Sequence, residues 1–266
     1  MTTNNSGDFT NLNQAADAQH WVDLMRDMTR LFPDIVETRE HMLKWVTEHP
    51  GTQILDGGCG PGDTTREIAH SVPEATSVTG IDFSDSMIAF ANTQNNPKNV
   101  HFQSGDLTNL TFEDHTFDAV RVERVLHHIP QAEKAVQEIF RVLKPGGRCA
   151  LDEPDFSFTR VSPLPSDLAH DYAQRYSDSN ANGAIGSDLH ALAQATGFEV
   201  KAHKATMYLG KDFKKMDASF QAIQILRDLL KEKHQPELMQ AIEAAAEQGT
   251  FYWAPCYFHI YLQKPA

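Results

Sequence analysis

A glycine-rich segment behind a short apolar run is the first part of the sequence that could do chemistry. Ile54 and Leu55 lead into Asp56, and glycines stand at positions 57, 58, 60 and 62. Glycine lets the backbone turn sharply and lets a ligand approach with no side chain in the way. The segment is therefore a candidate ligand-binding loop, although a glycine-rich turn without a ligand would have the same composition.

Two carboxylates stand where the next two strands are predicted to end. Asp82 follows Thr79-Gly80-Ile81, and Asp106 follows Ser104-Gly105. Ligands bind at the carboxyl ends of strands in an open parallel sheet, where a carboxylate after the second strand can accept hydrogen bonds from ribose hydroxyls. Alone, either residue reads as a helix cap or a turn residue. Together with the glycine loop they predict a nucleotide-like ligand.

Two adjacent histidines, His127 and His128, follow the fourth predicted strand. Histidine titrates in the range useful to a general base, and we expect one ring of the pair to point inward. His128 is our first candidate for a base or substrate contact and His127 our second. Packing and hydrogen bonding at a helix start would explain the pair equally well.

Further side chains could meet a substrate, although each could equally be structural. They are Trp21, Met25, Glu153, Asp155, Tyr172 and Tyr176.

The elements that must position these residues alternate between short apolar runs and amphipathic stretches. The predicted strands are Gln53–Asp56, Ser77–Ile81, Val100–Ser104, Phe117–Val122 and Arg148–Asp152. The predicted helices between them are Thr64–Ser71, Ser86–Asn95 and Gln131–Leu143. Such alternation predicts an α/β fold with a mainly parallel sheet and helices on both faces.

The segments that flank this core have their own predicted roles. We expect residues 1–11 to form a disordered tail, residues 12–50 a helical cap, 52–155 the ligand-binding core and 156–187 an insertion over the strand ends. Residues 188–266 complete the same single domain with a helix at Ser187–Thr196, a strand at Glu199–Tyr208, helices at Met216–Lys233 and Pro236–Gln248, and a last strand at Phe251–Gln263.

Several motifs in this core, in this order, resemble those of class I S-adenosylmethionine-dependent methyltransferases. The first is Asp56-x-Gly58-x-Gly60-x-Gly62, and the second is Ile81-Asp82-Phe83-Ser84-x-x-Met87. Gly105-Asp106-Leu107 and Phe117-Asp118-Ala119-Val120 resemble the third and fourth. The runs Val125–Ile129 and Val142–Gly147 are typical of the subgroup related to ubiquinone-biosynthesis and natural-product methyltransferases. The resemblance covers about residues 52–155.

The resemblance implies a seven-stranded Rossmann-like sheet, S-adenosylmethionine as cofactor and a role for each matching position. The loop of Asp56, Gly57, Gly58, Cys59 and Gly60 would hold the methionine part, and Asp82 would bind the ribose. Phe83 and Met87 would lie beside the adenine, Asp106 would face the adenine amino group, and Leu107 would contribute a backbone contact. Glu123 and Arg124 would lie near the methionine end. Many relatives carry a small residue in place of Arg124.

The expected reaction is methyl transfer to an oxygen, nitrogen or carbon nucleophile of a small organic molecule. Holding the reactants together in the right geometry can lower a barrier by roughly 7–11 kcal/mol. One alternative is a protein of the same fold that binds S-adenosylmethionine for a non-methylating activity. A nicotinamide-dependent oxidoreductase is a weaker alternative. The glycine loop of such enzymes follows G-x-G-x-x-G, whereas the loop here reads Gly58-x-Gly60-x-Gly62.

The composition of the chain limits which classes of partner, cellular location and metal site are expected. The net charge is −13, from 23 basic against 36 acidic residues, which disfavours a nucleic-acid partner. No apolar run approaches the ~18 residues of a membrane span, and the polar start lacks the features of a secretory signal, so we expect a cytoplasmic protein. The three cysteines show no metal-like spacing, and no metal site is predicted. A monomer or a homodimer is compatible with the sequence.

Overall fold

Two helices precede the sheet in the computed structural model, which describes residues 18–32, 34–48, 51–219 and 221–266. They are α1 (Ala18–Leu31) and α2 (Asp34–Thr47). The predicted tail at 1–11 and the start of the first predicted helix lie outside the described residues.

Seven strands form one mixed sheet in the order β3-β2-β1-β4-β5-β7-β6. Their bounds are β1 (Gln53–Gly57), β2 (Ser77–Asp82), β3 (Val100–Ser104), β4 (Phe117–Glu123), β5 (Leu143–Ser162), β6 (Glu199–Met207) and β7 (Tyr252–Gln263). The first five strands pair in parallel, whereas β7 lies antiparallel between β5 and β6. This confirms the α/β prediction of a mainly parallel, seven-stranded sheet.

Helices cover both faces of the sheet because each strand alternates apolar side chains between the faces. Leu55, Val120 and Leu151 pack on the side of Val136 and Leu189. Their neighbours Ile54, Ala119 and Ala150 pack on the side of Met42 and Ile68, which belong to α2 and α3. The remaining helices are α3 (Asp63–His70), α4 (Asp85–Thr93), α5 (Ala132–Val142), α6 (Ser166–Asp178), α7 (Ile185–Thr196), α8 (Phe213–Ser219), α9 (Gln221–Glu232) and α10 (Glu237–Glu247).

A second apolar cluster lies beyond the carboxyl end of the sheet. It joins Phe32 at the end of α1 to Tyr172 of α6, Leu226 of α9, Ile242 of α10 and Trp253 of β7. These helices therefore pack on one another and on the ends of β5 and β7, and we call this part the cap cluster.

Strand β5 differs most from its prediction, which placed it at Arg148–Asp152. It begins at Leu143, which pairs with Phe117, and its pairing with β7 resumes at Arg160 after an irregularity. The segment predicted as an insertion at 156–187 therefore begins inside a strand. The physical reason is the length of β7, which offers hydrogen-bonding partners beyond Asp155.

Candidate active site

The glycine loop leaves β1 in a conformation that most side chains would resist. Gly58 has φ +70° and Gly60 has φ +52°, both in the left-handed region that favours glycine. The amide of Cys59 donates to the carbonyl of Ile81 over 2.8 Å, which ties the loop to β2. The Cys59 thiol is buried, and this burial raises its pKa well above the usual value, so it stays protonated.

Asp82 organises the backbone around this loop. Its Oδ2 accepts from the amide of Gly60 at 2.8 Å, and its Oδ1 accepts from the amide of Ser84 at 2.9 Å. Burial raises the pKa of this carboxyl. Because a carboxylate has about four acceptor sites, two of which are used here, Asp82 can accept further bonds from a ligand.

The residues after Asp82 present two different surfaces. The ring of Phe83 is 65% exposed, whereas Met87 is fully buried against Val22 of α1. An exposed aromatic face beside a half-buried carboxylate is suited to a flat heterocycle.

Asp106 and Leu107 lie at the end of the neighbouring strand β3. The Oδ1 of Asp106 accepts from the backbone amide and hydroxyl of Thr108, at 2.7 and 2.8 Å. Leu107 is buried, and a Cβ on Gly57 would lie 2.9 Å from its Cδ2. The sheet thus brings both residues to the edge that carries the glycine loop.

A buried ionic network begins at Asp56. Its Oδ2 accepts from the hydroxyl of Thr65 at 2.6 Å, and its Oδ1 accepts from Nη1 of Arg121 at 2.7 Å. Arg121 also contacts Glu123, the last residue of β4.

Two further arginines close this network over the strand ends. Glu123 Oε1 lies 3.1 Å from Nη2 of Arg39, which reaches it from α2, and 3.2 Å from Nη2 of Arg124. The sequence analysis missed Arg39 and Arg121. The signal for Arg121 was a charged residue between the apolar residues Val120 and Val122.

Arg124 itself has an unusual backbone. Its φ of +58° lies in the left-handed region, which is uncommon for a residue with a side chain. Its amide donates to the carbonyl of Asp152 over 2.8 Å. The backbone therefore turns sharply where β4 ends, and β5 holds the turn.

Glu153 holds the short 3-10 helix at Leu126–His128. Its carboxylate accepts from the backbone amides of Val125, Leu126 and His127 at 2.7–3.2 Å, and its Oε2 lies 2.8 Å from Nδ1 of His127. Burial raises the pKa of Glu153 to about 7 and lowers that of His127 to about 3. The ring of His128 is half-buried, with its centroid 3.8 Å from that of His127.

The side chains that were predicted to contact a substrate lie on α1, in the cap cluster and on β5. Trp21 and Met25 of α1 pack near Met87, and a Cβ on Gly60 would lie 3.3 Å from the sulfur of Met25. Tyr172 and Tyr176 belong to the cap cluster, where the hydroxyl of Tyr172 accepts from the indole of Trp253 at 2.9 Å.

Asp155 follows Glu153 on β5 and is buried. Its Oδ1 accepts from the amide and hydroxyl of Ser157, at 3.0 and 2.5 Å. Its Oδ2 is buried and has no hydrogen-bond partner in the described part of the chain.

Sequence reasoning also missed a buried aspartate–histidine pair. Oδ1 of Asp152 on β5 lies 2.7 Å from Nδ1 of His259 on β7. Nε2 of the same ring is buried and has no hydrogen-bond partner among residues 18–32, 34–48, 51–219 and 221–266. The local sequence around His259 is apolar and aromatic, so only the pairing of β5 with β7 reveals the contact.

Two kinds of feature are absent from the described residues. They include no group of three or more histidine, cysteine, aspartate or glutamate side chains placed to hold a metal ion. None of the helices that the structure describes is both long and apolar enough to span a membrane.

Comparison with known proteins gives a family and a fold. A family model described as a methyltransferase domain matches residues 48–216. An uncharacterized 37.1 kDa protein in a transposon of Streptomyces fradiae is 36% identical over 162 residues, which are 60% of this chain and 47% of that protein. A demethylmenaquinone methyltransferase of Staphylococcus haemolyticus is 37% identical over 110 residues, 41% of this chain and 46% of that protein. The chain thus spans about half the length of these curated relatives.

Solved structures share the fold at low identity. A protein of Bacillus halodurans superposes with a TM-score of 0.64 at 22% identity, over 84% of this chain and 97% of that one. The YcgJ protein of Bacillus subtilis gives 0.60 at 20%, over 85% and 99%. The phosphoethanolamine N-methyltransferase 2 of Haemonchus contortus, solved with S-adenosylhomocysteine, gives 0.52 at 18%, over 86% and 53%.

Proposed function

The chain belongs to the methyltransferase-domain family, and from this premise we propose that it transfers a methyl group from S-adenosylmethionine to a small organic molecule. The observation that carries the proposal is the junction of the glycine loop with Asp82. This carboxylate holds the loop through the Gly60 amide and keeps acceptor capacity for a ligand.

The residues at this edge fit the proposed cofactor. Asp82 is a ribose acceptor, the exposed ring of Phe83 is a surface for adenine, and the left-handed glycines at 58 and 60 leave the loop backbone open. Asp106 remains our proposed partner for the adenine amino group. When bound, S-adenosylmethionine supplies a methyl group that is already electrophilic.

The contribution of the protein is then to orient the acceptor and to exclude water. The network of Arg39, Arg121 and Arg124 with Glu123 fixes the charged edge between α2 and β4. Fixed charges of this kind can stabilise a transition state without reorganising. We propose that Glu123 and Arg124 border the methionine end of the cofactor.

The atom that receives the methyl group is proposed to be oxygen, nitrogen or carbon. His127 is held by Glu153, and its lowered pKa makes it a weak base. His128 is only half-buried, so we retain it rather than His127 as a candidate acceptor contact.

The other proposed substrate contacts differ in how many hydrogen bonds and packing contacts their side chains already make. Met25 of α1 lies against the glycine loop, Trp21 packs with it near Met87, and Oδ2 of Asp155 has no hydrogen-bond partner in the described part of the chain. Glu153, Tyr172 and Tyr176 already serve neighbouring elements, so we propose that they shape the site rather than touch the acceptor.

The relatives favour a small acceptor. Members of the curated set are named for demethylmenaquinone, and the acidic charge of this chain disfavours nucleic acid. We therefore propose an organic molecule small enough to be enclosed by α1, α2 and the cap cluster.

Calorimetric titration tests the cofactor. We expect the wild type to bind S-adenosylmethionine and S-adenosylhomocysteine at micromolar concentration and not to bind NAD. Asp82→Ala should abolish this binding, whereas Asp188→Ala, which changes an exposed aspartate on α7, should leave it intact. Binding of NAD, or equal binding by both variants, would contradict the proposal.

A further inference from the structure

His259 is a buried histidine. One of its ring nitrogens contacts a carboxylate, and the other has no hydrogen-bond partner among the described residues. Nδ1 lies 2.7 Å from Oδ1 of Asp152, and only 2% of His259 and 2% of Asp152 are exposed. Because a carboxylate oxygen accepts, Nδ1 carries a proton in this contact, and in the neutral ring the lone pair is then on Nε2. Nε2 is the buried atom for which the described residues supply no hydrogen-bond partner.

The position of this pair relates it to the proposed cofactor site. Asp152 is in register with both Glu123 on β4 and His259 on β7. Since paired residues point to the same face of a sheet, Glu123, Asp152 and His259 form one row of side chains. This row lies at the carboxyl end of β4, on the face covered by α2, whose Arg39 contacts Glu123.

The groups around His259 combine aromatic rings with ionisable side chains. The ring centroid of Tyr208 lies 6.1 Å away, and the hydroxyl of Tyr208 donates to Thr38 of α2 at 2.7 Å. The titratable and charged groups near the ring are Asp152 of β5, His203 and Lys204 of β6, Tyr208 just after β6, Tyr257 and Tyr261 of β7, Glu123 of β4, Arg124 just after β4, and Arg39 of α2.

We propose that His259, oriented by Asp152, is the general base that takes the proton from the methyl acceptor, and that the acceptor is a phenol or an enol. This inference rests on the proposed function and names the acceptor class that it leaves open. Asp152 acts as a positioning residue, because it touches the imidazole and not the acceptor.

The proton transfer balances as follows. The lone pair of Nε2 takes the proton of the acceptor O–H, and the electron pair of that bond stays on the acceptor. A new bond forms between the acceptor and the methyl carbon, while the sulfur–methyl bond breaks and its electrons stay on sulfur. The imidazolium keeps that proton until the product leaves and water reaches the ring.

The acceptor class follows from what an imidazole can deprotonate. A base works best on a group whose pKa is not far above its own, and phenols titrate near ~10, as tyrosine does. An alkanol is much less acidic. Arg124, whose Nη2 lies 3.2 Å from Oε1 of Glu123 in this row, would stabilise a developing phenolate.

A binding experiment tests the base without turnover. The probe is 4-nitrophenol, whose phenolate absorbs visible light, titrated with protein saturated with S-adenosylhomocysteine at a pH where the free compound is mostly protonated. We expect the phenolate-to-phenol ratio of the bound probe to exceed that of the free probe about tenfold. The variant His259→Asn keeps a donor for Asp152 but has no counterpart of Nε2, so the phenolate-to-phenol ratio of its bound probe should fall several-fold below that of the wild type.

The controls separate this inference from the proposed function. His234→Asn, on an exposed turn whose φ of +56° asparagine tolerates, should behave as the wild type. His259→Asn should still show a cooperative thermal unfolding transition, and its affinity for S-adenosylhomocysteine should stay within a few-fold of the wild type. These two results would show that the variant folds. Asp152→Asn should weaken the ionisation without removing it.

The outcomes are distinct. Failure of the probe to bind, or equal ionisation by the wild type and His259→Asn, would overturn the inference while cofactor binding stands. Failure of the wild type to bind S-adenosylhomocysteine would instead overturn the proposed function. With a phenolic substrate in turnover, kcat/KM of His259→Asn should fall about 10²–10⁴-fold.

Discussion

At the residue scale, the burial of His127 makes stability depend on pH. Its folded pKa of about 3 lies below its ordinary value of 6.5, so its stabilising contribution is present above pH 6.5 and is lost as pH falls toward 3. Each pH unit in this window changes the free energy of unfolding by up to about 1.4 kcal/mol.

His127→Asn should therefore lose less stability than the wild type between pH 6.5 and pH 3. Asparagine keeps a polar group for Glu153 but cannot be protonated there. Urea unfolding at a series of pH values measures the effect, with His234→Asn as the control on an exposed histidine. Parallel stability curves for His127→Asn and the wild type would show that the imidazole does not titrate as its burial demands.

Residues at the ends of neighbouring parallel strands were predictable, and residues joined by distant strands were not. The meeting of Asp82 with the glycine loop follows from the order of β1 and β2, since parallel strands end at one edge. Asp152 and His259 are 107 positions apart and meet only because β7 enters the sheet beside β5. No local pattern in the sequence sets that pairing.

At the element scale, α1 is tied to α3 and α4 near the glycine loop by an ion pair and by apolar packing. Arg26 donates to Asp63 at the start of α3 at 2.8 and 3.0 Å, and Val22 packs on Met87 of α4. The ion pair is partly exposed, and such pairs contribute little stability, typically below about 1 kcal/mol. We infer that α1 opens more readily than the sheet does.

A saturating concentration of S-adenosylhomocysteine should protect α1 from chymotrypsin. The reason is that a ligand under the helix adds contacts that an open helix would lose. Cleavage between Trp21 and Phe32, followed by mass spectrometry with and without the ligand, measures the protection. Asp82→Ala provides the control, because its cleavage should not respond to the ligand. Unchanged cleavage in the wild type would show that α1 is not part of a lid.

Element boundaries in the sheet were well predicted, except where two strands support each other. The bounds of β3 match the prediction, and β1 and β4 each extend it by one residue. The extension of β5 to Ser162 depends on β7 as its partner, and a run that contains Pro154 does not signal a strand by itself. The predicted helix at Met216–Lys233 overlaps α8 and α9, and residue 220 between them lies outside the described residues.

At the scale of the whole molecule, cofactor binding should raise thermal stability. A ligand at 100 times its Kd stabilises the folded state by about 2.7 kcal/mol. For a chain of this size, that corresponds to a rise in Tm of roughly 5–11 °C. Differential scanning fluorimetry with S-adenosylhomocysteine measures the shift, with NAD as the matched ligand. A similar shift with NAD, or none with either ligand, would contradict the proposed cofactor.

The place of β7 has a consequence for the order in which the molecule can be made. The glycine loop, Asp82 and the network around Glu123 lie within the first half of the sequence, so a nascent chain can assemble them while synthesis continues. His259, the partner of Asp152, belongs to the last strand, β7. It can reach Asp152 only after β7 has left the ribosome and has paired with β5 and β6. A growing chain could thus acquire its cofactor edge well before its proposed base, which would keep unfinished molecules from acting on the acceptor.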